Sequence, residues 1–173
     1  MRLALILLIM FAAGCVGTGG NVVAKNGDMV LVDYIGKLED GTLFDTSVES
    51  VARESGTYNS GREYAPLEVE LGSGSVVRGF NDAILGMKVG ATKTATLEPK
   101  DAYGEPDQEL IISVPISDLK KAGIKPDVGM TVGTASGTRG TITAVGAQNA
   151  TVDFNHPLAG KTLVFEIMLV GIM

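Results

Sequence analysis

The stretch DMVLVDYIGKLEDGTLFDTS, residues 28–47, decides the architecture. Asp28 to Leu38 is rich in Val, Ile and Tyr, side chains that suit a pleated, half-buried surface, and reads as a strand. Glu39-Asp40-Gly41-Thr42 is a turn signal of the Asp-Gly kind. Leu43-Phe44-Asp45-Thr46-Ser47 resumes an extended chain. Outward from this pair, Val48 to Tyr64 is polar, carries Gly56, Asn59 and Gly61, and reads as a loop with one helical turn. From Pro66 to Leu71, Leu67, Val69 and Leu71 alternate with Glu68 and Glu70, the pattern of a strand with one wet and one dry face. Thr92 to Leu97 is a further strand, stopped by Pro99. Near the C-terminus Leu163, Phe165, Ile167 and Leu169 alternate with Val164, Glu166, Met168 and Val170. A strand apolar on most of both faces belongs in the middle of its sheet.

One segment breaks the period of two. Phe80, Ala83, Ile84 and Met87 fall at i, i+3, i+4 and i+7, one apolar stripe on a short helix that Gly86 and Gly90 end. The order implies an α+β fold, a curved and mostly antiparallel sheet wrapped on a short helix. Residues 107–151 read as a separate small β-rich unit. A helical stretch, Ile116 to Ala122, precedes strand-like runs at Thr131 to Ala135, Gly140 to Val145 and Ala150 to Phe154. Leu110, Ile111, Ile112, Val114, Ile116, Leu119 and Met130 form either an exposed apolar binding groove or the core of that unit.

Composition excludes several functions. Net charge is −6 with no dense Lys/Arg cluster, so no basic face exists to neutralise nucleic-acid phosphates. Cys15 is the only cysteine and His156 the only histidine, which rules out an internal disulfide and a Cys–His zinc cluster. A nucleophilic triad would depend on that one histidine, and no G-x-S-x-G motif accompanies it. No cofactor is expected.

At the N-terminus, Arg2, the apolar run Leu3 to Phe11 and Ala12-Ala13-Gly14-Cys15 describe a secretory signal, too short to span a bilayer comfortably. Cys15 after Ala-Ala-Gly resembles the lipobox of prokaryotic lipoproteins, with Ala12 where Leu is more usual. The resemblance implies a signal peptide over residues 1–15, lipidation of Cys15 and an extracytoplasmic, membrane-anchored protein. An uncleaved anchor or plain secretion are the alternatives. Residues 16–27 read as a flexible linker.

Five stretches together resemble the FKBP family of peptidyl-prolyl cis/trans isomerases: Val32 to Leu38, Glu39 to Ser47, Val76-Val77-Arg78-Gly79-Phe80, Ala102-Tyr103-Gly104, and Asn155-His156-Pro157-Leu158-Ala159-Gly160-Lys161-Thr162-Leu163-Val164-Phe165. They stand in the family's order. The intervening unit resembles the insert-in-flap domain of SlyD-like and archaeal short-type members, so the isomerase domain is expected over 28–106 and 152–173 and the insert over 107–151. The His-rich metal-binding tail of some SlyD-like proteins is not matched, and no metal site is expected. Phe80 stands where the family carries an indole.

The resemblance implies Tyr34, Phe44, Val76, Val77, Phe80, Tyr103 and Phe165 as walls of a prolyl pocket. The Tyr103 hydroxyl would serve a substrate carbonyl, and Asp45 would sit at the rim near Tyr34. It also implies proline-containing unfolded or partly folded chains as partners, caught by the insert. From spacing alone, Phe44, Phe80 and Phe165 are core residues of any β-domain, Asp45 is a turn cap, and His156 before Pro157 is a turn residue without chemistry. A non-catalytic FKBP-like chaperone or binding lipoprotein is the competing function. A monomer is expected.

Overall fold

The computed structural model describes residues 22–134 and 137–173. The stretch 28–47 forms β1 (Met29–Leu38) and β2 (Leu43–Thr46), paired antiparallel with Ile35 opposite Thr46 and a bulge at Gly36/Lys37. β2 covers only the C-terminal half of that edge of β1. The N-terminal half pairs with β3 (Leu67–Glu70), Val30 opposite Val69. Between the two, the polar loop carries one short helix, α1 (Glu49–Glu54), which buries Val51 and Ala52.

The other edge of β1 takes β9 (Leu163–Ile172), Leu38 opposite Leu163 and Val30 opposite Ile172. β4 (Thr92–Leu97) closes the far side of β9. β9 is thus central, as its two-faced apolarity requires. Leu163, Phe165, Ile167 and Leu169 are its buried parity. They face α2 (Arg78–Ile84), which buries Phe80, Ala83 and Ile84, with Met87 just beyond it, into one core with Val30, Val32, Tyr34, Val69 and Leu71.

A second antiparallel sheet, in the order β5-β8-β7-β6, is formed by β5 (Ile111–Pro115), β6 (Thr131–Gly133), β7 (Arg139–Val145) and β8 (Asn149–Asp153), with α3 (Ile116–Lys121) between β5 and β6. Leu119, Val132, Ile142, Ala150 and Val152 make its own buried cluster.

Three sequence expectations change. Ile111 to Pro115, assigned to no strand from the sequence, is an edge strand whose Ile111 pairs with Asp153. That pairing carries the second sheet past the boundary expected at 151, and Phe154 packs on the second cluster too. Residues 22–27 of the expected linker are pinned to the first core. Ala24 is buried, its N–H donates to the Met87 carbonyl (2.9 Å), and its carbonyl accepts from the Gly86 N–H (2.8 Å). The two main-chain bonds satisfy the buried peptide. Among the described residues no helix is long and apolar enough to cross a membrane. Cys15 and the signal segment lie outside the described residues.

Candidate functional site

Phe165, projecting from near the start of β9 onto the α2 side, organises an aromatic floor. Phe80 meets it edge-on with centroids 5.0 Å apart, and Phe44 from β2 does the same at 5.5 Å. Tyr34 from β1 stands edge-to-face to Phe80 at 5.9 Å. Such edge-to-face pairs set the ring orientations beyond what area burial alone would. Two rings fit side by side because residue 36 has no side chain. A Cβ on Gly36 would stand 2.7 Å from Phe44 Cζ and 3.0 Å from Phe165 Cε1.

Above this floor opens a cleft of about 370 Å³, lined by Tyr34, Phe44, Asp45, Val76, Val77, Phe80, Tyr103 and Phe165, with Leu67, Gly74 and Ser75 at its side. All eight residues expected to form the prolyl pocket border this one space. Val76 and Val77 come from the turn that enters α2, where Gly74 adopts φ 80°, a left-handed conformation costly for other residues.

The polar rim is held as tightly as the floor. The Tyr34 main chain is clamped from both sides, its N–H donating to Ser47 Oγ (2.9 Å) and its carbonyl accepting from Thr46 Oγ1 (2.7 Å). Its hydroxyl donates to Asp45 Oδ2 at 2.6 Å. Burial first, then this bond to a carboxylate, pushes the Tyr34 phenol up to about 12. Asp45 also accepts from the Thr46 N–H (2.9 Å) while facing the cleft, and it stands inside β2 rather than capping a turn. Arg62 pairs with the Asp45 carboxylate and reaches the Tyr34 hydroxyl at 3.1 Å. Asp45 holds the guanidinium above its ordinary value. The negative rim charge is therefore matched, and the cleft is an apolar box with one neutralised polar corner.

Arg62 was not singled out in the sequence, since an arginine in a polar loop carries no periodic signal and its partner is 17 residues away. Tyr103 is 40 % exposed at the opposite rim, on the turn after Pro99–Asp101, and its hydroxyl has no hydrogen bond among the described residues. Its ring lies flat on His156, centroids 3.7 Å apart and planes 4° from parallel. His156, expected to be a bare turn residue, thus backs the pocket wall.

The apolar residues of the second sheet separate into two sets. Leu119 is buried in the second cluster, and Val114 and Ile116 pack against it. Those three belong to the core because β5 and α3 turn them inward. Leu110, Ile112 and Met130 stay exposed at 43, 42 and 38 %, with Ile111 half-buried. Val128 and Val145 are exposed too, at positions the sequence had not marked. Among the described residues no group of three His, Cys, Asp or Glu side chains is arranged to hold a metal ion.

The profile of the FKBP-type peptidyl-prolyl cis-trans isomerases matches residues 20–170. The chain is similar to a short-type peptidyl-prolyl cis-trans isomerase of Methanocaldococcus jannaschii, 43 % identical over 143 residues, 83 % of this chain and 90 % of the relative. It is also similar to the FKBP-type 16 kDa peptidyl-prolyl cis-trans isomerase of Escherichia coli, 34 % identical over 152 residues, 86 % of this chain and 93 % of that one. The isomerase SlyD of Helicobacter pylori is 30 % identical over 131 residues, 72 % of this chain and 70 % of its own.

Proposed function

Since the chain belongs to the FKBP-type peptidyl-prolyl cis-trans isomerase family, we propose that the cleft around Phe165 catalyses X-Pro rotation by non-covalent stabilisation of the twisted amide. The second sheet, in this reading, captures the chains it acts on. Rotation about an X-Pro bond breaks amide resonance against a barrier of roughly 18–20 kcal/mol and unaided takes tens to hundreds of seconds. No covalent step is needed, only an environment that favours the twisted state over either planar one. The twisted amide has less charge separation, so it loses less than the planar forms on entering a dry aromatic cleft. A thousandfold acceleration needs about 4 kcal/mol of such preference.

Each lining group has a part. Phe44, Phe80 and Phe165 hold the prolyl ring, with Val76 and Val77 as the side wall. Tyr103 offers its hydroxyl to a substrate carbonyl. Asp45, oriented by Tyr34 and neutralised by Arg62, presents a fixed polar edge to the turning amide. No proton is transferred overall, so none of these is assigned acid or base duty. The observation that carries this reading is that the eight residues, drawn from five separate parts of the chain, line one cleft.

Leu110, Ile112 and Met130 give the second sheet an apolar surface suited to unfolded chains. A chain held there raises the local concentration of its prolyl bonds at the cleft. Lipidation of Cys15 would tether the protein to the cell envelope, a reading supported by the apolar run ending in Ala12-Ala13-Gly14. Stable tethering then takes more than one acyl chain. Loss of radiolabelled acyl incorporation in Cys15→Ala tests the anchor.

The function itself is tested with two substrates, a proline tetrapeptide and a protein whose refolding waits on prolyl isomerisation. Acceleration of both, greater on the protein, supports cleft and second sheet together. Equal acceleration removes the capture role. Binding of the unfolded protein without acceleration of either substrate replaces catalysis by holding.

A further inference from the structure

One wall of the cleft is less secured than the others. Tyr34 is fixed by main-chain clamps and a carboxylate, and Phe44, Phe80 and Phe165 by packing. Tyr103 has none of this. It is exposed, follows a short 3-10 turn, and its hydroxyl is unbonded among the described residues. A tyrosine so placed samples several rotamers in water unless something holds its ring. The contact that holds it is the face-to-face stack on His156 at 3.7 Å.

His156 is itself held. Its Nδ1 accepts from the Leu158 N–H at 3.1 Å, which fixes the ring's rotation and leaves Nε2 as the protonated nitrogen of the neutral imidazole. The Gly160 N–H donates to the Gly104 carbonyl at 2.8 Å, tying this turn to the residue after Tyr103. Next to His156, the Asn155 side chain spans the two strands of chain that lead into and out of the second sheet. Its Oδ1 accepts from the Asp107 N–H (2.8 Å), and its Nδ2 donates to the Asp107 carbonyl (2.9 Å). The histidine therefore stands on a stapled mount, with one face against the tyrosine.

From this geometry we propose that His156 is a positioning residue for the isomerase: its imidazole face fixes the Tyr103 ring, and so the place where the tyrosine hydroxyl meets the substrate carbonyl. The inference rests on the reading of Tyr103 given above. His156 touches no reacting atom. It acts by removing rotamer freedom that Tyr103 would otherwise lose on binding substrate.

The test is a double-mutant cycle on the tetrapeptide reaction, with thermal unfolding measured on every variant. Tyr103→Phe keeps the ring and removes the hydroxyl. His156→Ala removes the stack, His156→Phe keeps a stacking ring without the acceptor, and His156→Asn keeps an acceptor without the ring. An aromatic pair of this kind is worth about a two- to tenfold change, so His156→Ala is expected to lower kcat/KM by about that factor. His156→Phe restores most of the loss and His156→Asn does not. In the Tyr103→Phe background, His156→Ala costs nothing further, because the hydroxyl it positions is gone. As the single histidine, His156 gives the only imidazole proton signals, and Tyr103→Ala should move them downfield by removing the ring current. Full activity in Tyr103→Phe overturns the hydroxyl reading and this inference with it. A damaged Tyr103→Phe beside a fully active His156→Ala overturns the inference alone. So does an equal loss from His156→Ala in both backgrounds, which marks a structural role independent of the hydroxyl.

Discussion

Gly36→Ala places one methyl group where the cleft floor has no room. In the register of the sheet Gly36 lies between Asp45 on β2 and Phe165 on β9. The new Cβ would stand 2.7 and 2.8 Å from Phe44 Cζ and Cε2 and 3.0 Å from Phe165 Cε1, against an ordinary separation of 3.4–4 Å. Phe165 is buried in the core and has little freedom to move. Phe44 is only half-buried and yields into the cleft, by about 1 Å to restore contact distance. Overpacking of this size costs about 1–3 kcal/mol. Alanine in a strand also gains about 0.5–1 kcal/mol over glycine, which masks part of that cost. Gly171→Ala, on β9 of the same sheet, supplies the reference, because its Cβ would meet nothing nearer than Leu31 Cδ1 at 3.9 Å. Urea unfolding of the two variants should differ by about 1–3 kcal/mol, Gly36→Ala being the weaker. The displaced Phe44 also narrows the cleft, so under the proposed function kcat/KM for a tetrapeptide falls about tenfold or more in Gly36→Ala and stays native in Gly171→Ala. If Gly36→Ala matches Gly171→Ala in both stability and turnover, the floor is not the close-packed surface described, and the reasoning from ring contacts fails.

Two further outcomes follow from the site and the second sheet. The Tyr34 phenol titrates at about 12 in the folded chain and near 10 when unfolded. Its contribution is whole below about pH 10 and is lost as pH climbs towards 12, up to about 2–3 kcal/mol, because the unfolded state ionises first. Denaturation midpoints across that window should decline less in Tyr34→Phe than in the native chain, and equal declines would deny the buried bond to Asp45. Ile142 is fully buried in the small second cluster, so Ile142→Ala removes about 2–5 kcal/mol from that unit. Hydrogen exchange should quicken in β5 to β8 far more than in β1 and β9, and acceleration of protein refolding should suffer more than tetrapeptide turnover.

Where contacts are local and periodic, the fold was legible. The Asp-Gly turn between two β-rich runs gives β1 and β2, the stripe from Phe80 to Met87 gives α2, and the two-faced apolar run gives the central β9. The pocket side chains came from residue types in a familiar order, and their meeting in one cleft depends on the register of β1, β2 and β9 and on the seating of α2 and the Tyr103 turn against that sheet. What escaped depends on partners far along the chain. Ala24 looks like linker until Met87 and Gly86 bond to it. Arg62 is one charge in a polar loop until Asp45 folds against it. Leu119 and Ile112 are alike as letters, and only the pairing of β5 with β8 and the seating of α3 decide that the first is core and the second surface. His156 next to a proline gave a sound turn reading, but the ring lying against it comes from a loop on the other side of the second sheet's insertion point.

The most direct measurement is the catalysed cis-to-trans rate of a single X-Pro tetrapeptide, taken with the native protein and with Asp45→Ala shown to be folded. The native protein should accelerate the reaction saturably. Asp45→Ala leaves the Tyr34 hydroxyl and Arg62 without their shared acceptor, a charged hydrogen-bond loss of about 1.5–3 kcal/mol, and should fall at least tenfold. A folded native protein that leaves the peptide at its uncatalysed rate, or a folded Asp45→Ala with full turnover, would contradict catalysis by this cleft.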